Sequence, residues 1–357
     1  MKQEGQLIEK ILRRLRSNSY SSFSPSRLSP QLTIQQTRSL SAKRGSVLST
    51  SVSLGPGDDA AVLSPSGKTE LVLTCDASLE GIHFRRDTHL PHSIGYKSLA
   101  RATSDLAAMG AAPRFFLLTL GLPKSIKPAW LDEFLQGMRR AAREFDLNVI
   151  GGDTTVSSQI VISITVVGEI GRGQAVGRSG ARPGDLIYVS GTLGRAQLGL
   201  ELVLAGRASD PRLHAVLAPH LYPQIRIGLG SWLATRRIPT AMMDLSDGLS
   251  TDLARLCRAS KAGARIYADQ IPCARIPEVV LKKMRGRKRE PLEMALNGGE
   301  DYELLFTLPT SKAGSLKQSP DFRSLTHIGE ITTARSVRIV DHIGQDQKLK
   351  PRGWDPF

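Results

Sequence analysis

Six short segments of this chain set an acid beside glycine or serine, most of them directly after a predicted strand or before a predicted helix. They are Gly57-Asp58-Asp59-Ala60-Ala61, Thr74-Cys75-Asp76, Ser104-Asp105-Leu106, Gly151-Gly152-Asp153-Thr154-Thr155, Asp244-Leu245-Ser246-Asp247-Gly248 and Gly298-Gly299-Glu300-Asp301-Tyr302. A single Gly-Asp pair is ordinary turn or cap chemistry. Six in one chain point further, because loops at the ends of regular elements are where a rigid scaffold carries function. Gathered carboxylates repel one another and drift towards protonation. A divalent cation removes that conflict, and Mg2+ prefers hard oxygen ligands shared between carboxylates and substrate phosphates. Glycines at the same turns let backbone amides approach phosphate oxygens.

The pattern around these turns alternates strands and helices. Glu70–Cys75, Ile160–Val167, Leu186–Ser190, Ala241–Leu245 and Glu303–Leu308 read as strands. Trp130, Leu131, Phe134, Leu135, Met138, Ala142 and Phe145 mark one helix face; Ala196–Leu204 and the stripe Leu249, Leu253, Leu256 mark two more helices. The expected fold is two-domain α/β with mixed sheets. Glycines and a Pro-Gly turn between Gly171 and Gly184 place a boundary there. We expect a helix over 1–16, a flexible Ser/Arg-rich insertion over 17–53, a first domain over 54–170 and a second over 171–357.

Composition narrows the function classes. The 357 residues carry 48 basic and 33 acidic side chains, a net charge of +15 that draws anions, phosphorylated metabolites among them. Much of the excess sits in Arg13–Arg44 and in the run Lys282–Arg289, which read as solvated surface. Aromatics are few, so a base-stacking nucleic-acid platform is not indicated. The apolar stretch Phe115–Leu122 is too short for a bilayer. Cys75, Cys257 and Cys273 are odd in number and far apart, which argues against a disulfide framework or a zinc site and for the cytoplasm. A transit peptide shares the composition of the insertion, but here a helix-like segment precedes it.

The familiar nucleotide machinery is missing: there is no G-x-x-x-x-G-K-[ST] and no H-R-D with D-F-G. Phosphate handling must rest on metal, glycine amides and a few cations. Taken in order, Gly55-Pro56-Gly57-Asp58-Asp59, Cys75-Asp76 to His83-Phe84, Tyr96-Lys97 to Ser104-Asp105 with Ala107-Ala108-Met109-Gly110-Ala111-Ala112-Pro113, Gly151-Gly152-Asp153, Gly177-Arg178, Asp244-Leu245-Ser246-Asp247-Gly248 and Gly298-Gly299-Glu300-Asp301-Tyr302 resemble the thiamine-monophosphate kinase family. The resemblance runs over most of the chain from Leu54 and includes the opening helix.

It implies an N-terminal domain that dimerises, a C-terminal α/β domain, and a nucleotide in the cleft between them. It implies ATP as co-substrate and several Mg2+ ions, held by Asp59, Thr74, Cys75, Asp76, Asp105, Asp153, Asp244 and Asp247, with Asp105, Asp244 and Asp247 central to catalysis. Gly152, Asp153, Arg178 and Ser246 would contact ATP. His83, Glu300 and Trp354 would contact thiamine monophosphate, although Trp354 also suits ordinary packing. The partners implied are these two substrates and a second copy of the chain. Cys75, Ala77 and Arg101 stand where the family commonly has other residues.

Overall fold

The computed structural model describes Arg14 and residues 51–54, 60–64, 67–281 and 290–354. The expected helix over 1–16 (apart from Arg14), nearly all of the insertion, Asp58, Asp59 and the basic run 282–289 lie outside the described residues.

Two sheets form the frame. The first contains β1 (Ser51–Leu54), β2 (Ala61–Ser64), β3 (Thr69–Leu79), β4 (Ala112–Leu122), β5 (Asn148–Val156) and β6 (Val161–Gly171), in the order β1-β2-β3-β6-β4-β5. Only the β4–β5 pair is parallel. The second contains β7 (Leu186–Ser190), β8 (Ala241–Asp244), β9 (Gly263–Tyr267), β10 (Leu304–Leu308), β11 (Leu325–Thr332), β12 (Val337–Val340) and β13 (Asp346–Lys348), in the order β13-β12-β9-β11-β7-β10-β8. Both sheets are mixed, and the five predicted strands are present with ends shifted by a few residues.

Helix α1 (Pro91–Met109) lies between the sheets, with α2 (Pro128–Glu144) beside it. It packs on β3 and β6 of the first sheet, and on β8 and helix α5 (Ile227–Thr235) of the second half. Of its 19 residues, 15 are buried, so it is covered on nearly every side rather than along one stripe. One continuous core therefore joins Leu99, Leu106 and Phe134 to Leu233, Met242 and Phe306 across the two halves. A second core lies on the far face of the second sheet under helix α6 (Leu249–Ala259) and α7 (Pro291–Asn297). Helices α3 (Arg195–Leu204) and α4 (His214–Leu221) close a third cluster.

The far face of the first sheet is open among the described residues. Strand alternation puts Cys75, Thr165 and Leu117 opposite one another on that face, and Ala77, Ser163, Thr119 and Asp153 in the next row. Leu117, Ile150 and Val156 are large apolar side chains exposed on this sheet.

A partly buried ion pair ties the second sheet to its helices. Arg226 donates through Nε and Nη2 to the two oxygens of Glu303, both at 2.6 Å, and Ser190 Oγ also donates to that carboxylate. Bidentate geometry makes this a strong pair, and removing one partner strands the other charge. Arg226→Met is therefore expected to lower unfolding free energy by about 3 kcal/mol. Urea denaturation measures it, and a loss below about 1 kcal/mol would mean that water solvates Glu303 after all.

Candidate active site

Where the two halves meet, a cavity of about 550 Å³ opens. Asp76, Ile82, His83, Arg101 and Asp105 line it from the first domain; His220, Asp244, Ser246, Asp247, Glu300 and Trp354 line it from the second. Eight of the expected residues thus meet in one place: Asp76, His83, Asp105, Asp244, Ser246, Asp247, Glu300 and Trp354. Thr74 stands just behind, its hydroxyl donating to Asp105 Oδ2 at 2.6 Å.

Helix α1 supplies the floor. Lys97, Arg101 and Asp105 are spaced i, i+4, i+8 and share one helix face. From the neighbouring position, the Ser104 hydroxyl crosses the domain junction and donates to buried Asp244 Oδ2 at 2.6 Å. Asp244 ends β8, and the turn after it is fixed by Asp252, which accepts the amides of Asp247 and Gly248 at 3.0 and 3.1 Å. Arg255 donates to both Asp247 and Asp252.

The Gly298–Tyr302 segment is pinned to this turn: Glu300 and Tyr302 amides donate to Ser246 and Leu245 carbonyls at 2.8 and 2.9 Å. Glu300 and Tyr302 adopt φ of 67° and 50°, a conformation that non-glycine residues hold only when their surroundings enforce it. The outcome is alternation. Glu300 and Tyr302 face the cavity, while Asp301 turns away to accept the Gly194 and Ala196 amides at the start of α3.

The C-terminal segment lies over the same turn. The Trp354 amide donates to the Asp247 carbonyl at 3.1 Å and Gly353 N–H to Thr251 Oγ1 at 3.0 Å. A Cβ at Gly353 would sit 1.9 Å from the Asp247 carbonyl oxygen, so only glycine lets the chain pass and deliver Trp354. Trp354 and Ile82, 49% and 56% exposed, form an apolar wall.

The polar end is a proton-ordered chain across the domains. His89 Nδ1 accepts the Arg85 amide at 3.3 Å and sits 2.9 Å from the Thr88 hydroxyl, so its proton is on Nε2. With that N–H donating to His220 Nε2 at 3.2 Å, the His220 proton is on Nδ1, 3.2 Å from Glu300 Oε2; Lys97 Nζ, also 3.2 Å from Nδ1, then donates to Glu300 and not to the ring. Lys97 Nζ donates to the same oxygen at 2.6 Å. Burial pulls His89 down to about 4 and lowers His220, with the Lys97 cation acting in the same direction on both. Burial would raise Glu300, but Lys97, His220 and Arg101 outweigh it and hold the carboxylate well below its ordinary range. His83 is neutral too: its Nδ1 accepts the Leu79 amide at 3.0 Å, and burial, then Arg101, lowers its pKa.

Besides Thr74, four described residues of the expected set fall outside the cavity lining. Cys75 alternates with Thr74 and Asp76, so its side chain lies on the open sheet face, 3.4 Å from Ser163 Oγ, and its thiol points away from the acids of the cavity. Asp153 is on that open face as well, paired across β4 with Thr119. Gly152 beside it has a packing reason of its own: a Cβ there would lie 1.8 Å from the Leu118 carbonyl oxygen. Arg178 precedes the second sheet, its carbonyl accepting from Ser260 Oγ at 3.1 Å. Asp59 is outside the described residues. Sequence reasoning missed Lys97, His220, Asp252 and Arg255 as site residues. Lys97 had a signal, being four residues before Arg101 and eight before Asp105. His220 had none, because its partners are over 75 residues away in sequence.

Among the described residues no three His, Cys, Asp or Glu side chains stand close enough to hold a metal by themselves. Asp76 is paired with Arg101 and Asp247 with Arg255, while Asp105 and Asp244 each take a hydroxyl. The donors are all hard oxygens spread around one cavity. That set fits Mg2+ shared with phosphates and water, not an all-protein cage.

The sequence matches the family models for AIR synthase related protein, N-terminal domain, over residues 57–170 and C-terminal domain over 182–342. It is 34% identical to thiamine-monophosphate kinase of Aquifex aeolicus, covering 84% of this chain and 92% of the relative. It is 40% identical to that of Salmonella typhimurium, covering 74% and 79%. The chain belongs to the thiamine-monophosphate kinase family. The solved structure of AaThiL complexed with AMPPCP and TMP superposes with a TM-score of 0.74 at 35% identity, covering 84% of this chain and 91% of that one. The family member described here thus has the two-domain fold that its motifs imply.

The histidine chain yields a pH prediction. Unfolded, His89 titrates near 6.5; folded, near 4, and His220 is lowered likewise. Between those values the unfolded chain binds more protons, so stability falls as pH falls through that window. Tm is expected to drop from pH 7 to pH 5, and less steeply in His89→Gln, whose amide still donates to His220. Equal slopes for the two proteins would contradict the assignment of neutral rings.

Proposed function

We propose that this protein binds ATP and thiamine monophosphate in the interdomain cavity and transfers the γ-phosphoryl group, giving thiamine diphosphate and ADP. It is an ATP-dependent phosphotransferase whose acceptor is a phosphate group. The observation that carries the reading is that Asp105 and Asp244, from opposite domains, face the same cavity as His83, Glu300 and Trp354. Acids suited to phosphates and an apolar wall suited to a flat heterocycle line one space.

An acceptor phosphate oxygen attacks the γ-phosphorus in line, the bond from that phosphorus to the β-phosphate bridging oxygen breaks, and ADP leaves. The nucleophile is anionic near neutral pH and needs no strong base, consistent with the neutral, donor state of His83. Glu300, fixed by Lys97 and His220, gives the cationic heterocycle of the acceptor a permanent counter-charge. Trp354 and Ile82 cover the heterocycle. Ser104 and Thr74 orient Asp244 and Asp105, so little reorganisation remains when the phosphates arrive.

Asp59, Asp76, Asp105, Asp153, Asp244 and Asp247, with Thr74 and the Cys75 carbonyl, are the proposed Mg2+ ligands. Bound Mg2+ would neutralise the charge that keeps two phosphate groups apart. Ser246, Gly152, Asp153 and Arg178 are the proposed ATP contacts; the last three require the nucleotide to extend past the cavity described above. The cytoplasm fits three unpaired thiols.

The test is direct. Purified protein is incubated with ATP, Mg2+ and thiamine monophosphate, and the thiamine species are separated by chromatography. Thiamine diphosphate is expected only when Mg2+ and the monophosphate are both present, and thiamine should not replace the monophosphate. Asp105→Asn and Asp244→Asn are expected to lose at least ~100-fold in turnover while remaining folded. Turnover at the unmutated rate would remove those residues from the mechanism.

The second partner is another copy of the chain. The open face of the first sheet, with Leu117 and Ile150 exposed, supports a homodimer formed there. Sedimentation is expected to give a dimer, with Leu117→Asp shifting it towards monomer. A monomeric parent protein at micromolar concentration would contradict this.

A further inference from the structure

The surroundings of Arg101 give it a task. It lies on α1 between Lys97 and Asp105, each one helical turn away, and it lines the cavity. Lys97 is spent on Glu300. Arg101 is not: Nη2 donates to Asp76 Oδ1 at 3.2 Å, while Nη1 is buried and finds no acceptor. A guanidinium is a permanent cation with a planar fork of donors, and a buried donor left unmade costs free energy that an arriving oxyanion returns.

Position selects the anion. One turn towards the helix N-terminus are Lys97 and Glu300, where the heterocycle is held; one turn towards the C-terminus is Asp105, where phosphoryl transfer occurs. An acceptor lying along this face passes its own phosphate over residue 101. We propose that Arg101 anchors the phosphate of the acceptor through Nη1, and that in this chain it widens the preference for a phosphorylated acceptor over the same molecule without phosphate. This rests on the acceptor reading above. Burial disfavours the Arg101 cation, but Tyr302, Asp76, Glu300 and Asp105 around it outweigh that and keep it charged.

Isothermal titration with thiamine monophosphate and with thiamine separates this role from a merely structural one. The parent protein is expected to bind the monophosphate more tightly than thiamine. Arg101→Met is expected to weaken monophosphate binding at least about tenfold and to leave thiamine binding unchanged, so that the preference narrows. Arg101→Lys, which keeps charge but loses the fork, is expected to fall between. Equal loss for both ligands in Arg101→Met, with Arg101→Lys restoring neither, would mean that the side chain only shapes the pocket through Asp76, and would overturn the proposal. Unaltered preference in Arg101→Met would overturn it too. A parent protein that binds neither ligand would sink the acceptor reading itself, a different failure from either of these.

Discussion

The structure depends on one buried helix. Helix α1 is enclosed by two sheets and three helices, yet it carries Lys97, Arg101, Ser104 and Asp105 into that interior. A helix so placed cannot leave its charged side chains without a partner, because an unmatched buried charge costs far more than a matched one returns. Each is therefore met from elsewhere: Lys97 by Glu300, Arg101 by Asp76, Ser104 by Asp244 and Asp105 by Thr74. Two of those partners come from the first domain and two from the second. The same pairings that make the helix tolerable in the core hold the domains in register and line the cavity between them.

This arrangement explains why a strongly basic chain concentrates acids at its turns. Among the described residues, Asp76 and Asp105 project from within β3 and α1, while Asp244, Asp247 and Glu300 stand at the turns after β8 and before β10; hydroxyls, arginines or a lysine hold them. They are spaced around the space that phosphates would enter. The strained backbone at Glu300 and Tyr302 is maintained by hydrogen bonds to the neighbouring Asp244–Gly248 turn, so two of the motifs support one another's geometry.

Much of this was legible in the sequence. Strand and helix positions followed from apolar periodicity, because burial on one face imposes it. The site residues emerged because acid, glycine and serine recur at element ends, and family resemblance then gave them roles. What stayed hidden was of two kinds. Side-chain facing within a strand was not weighed, so Cys75 was grouped with Thr74 and Asp76 although alternation sends it to the other face. Long-range partners such as His220 and Arg226 carry no local signal; only the packing of α4 and α5 against α1 brings them to Glu300 and Glu303.

The most direct test of the account is a crystal structure of this protein with a non-hydrolysable ATP analogue, Mg2+ and thiamine monophosphate bound. The account predicts the heterocycle against Trp354 and Ile82, and the acceptor phosphate over the Arg101–Asp105 turn of α1 facing the nucleotide across Asp244. An acceptor bound away from α1, or a nucleotide that leaves Asp105 and Asp244 without a metal or phosphate neighbour, would contradict it.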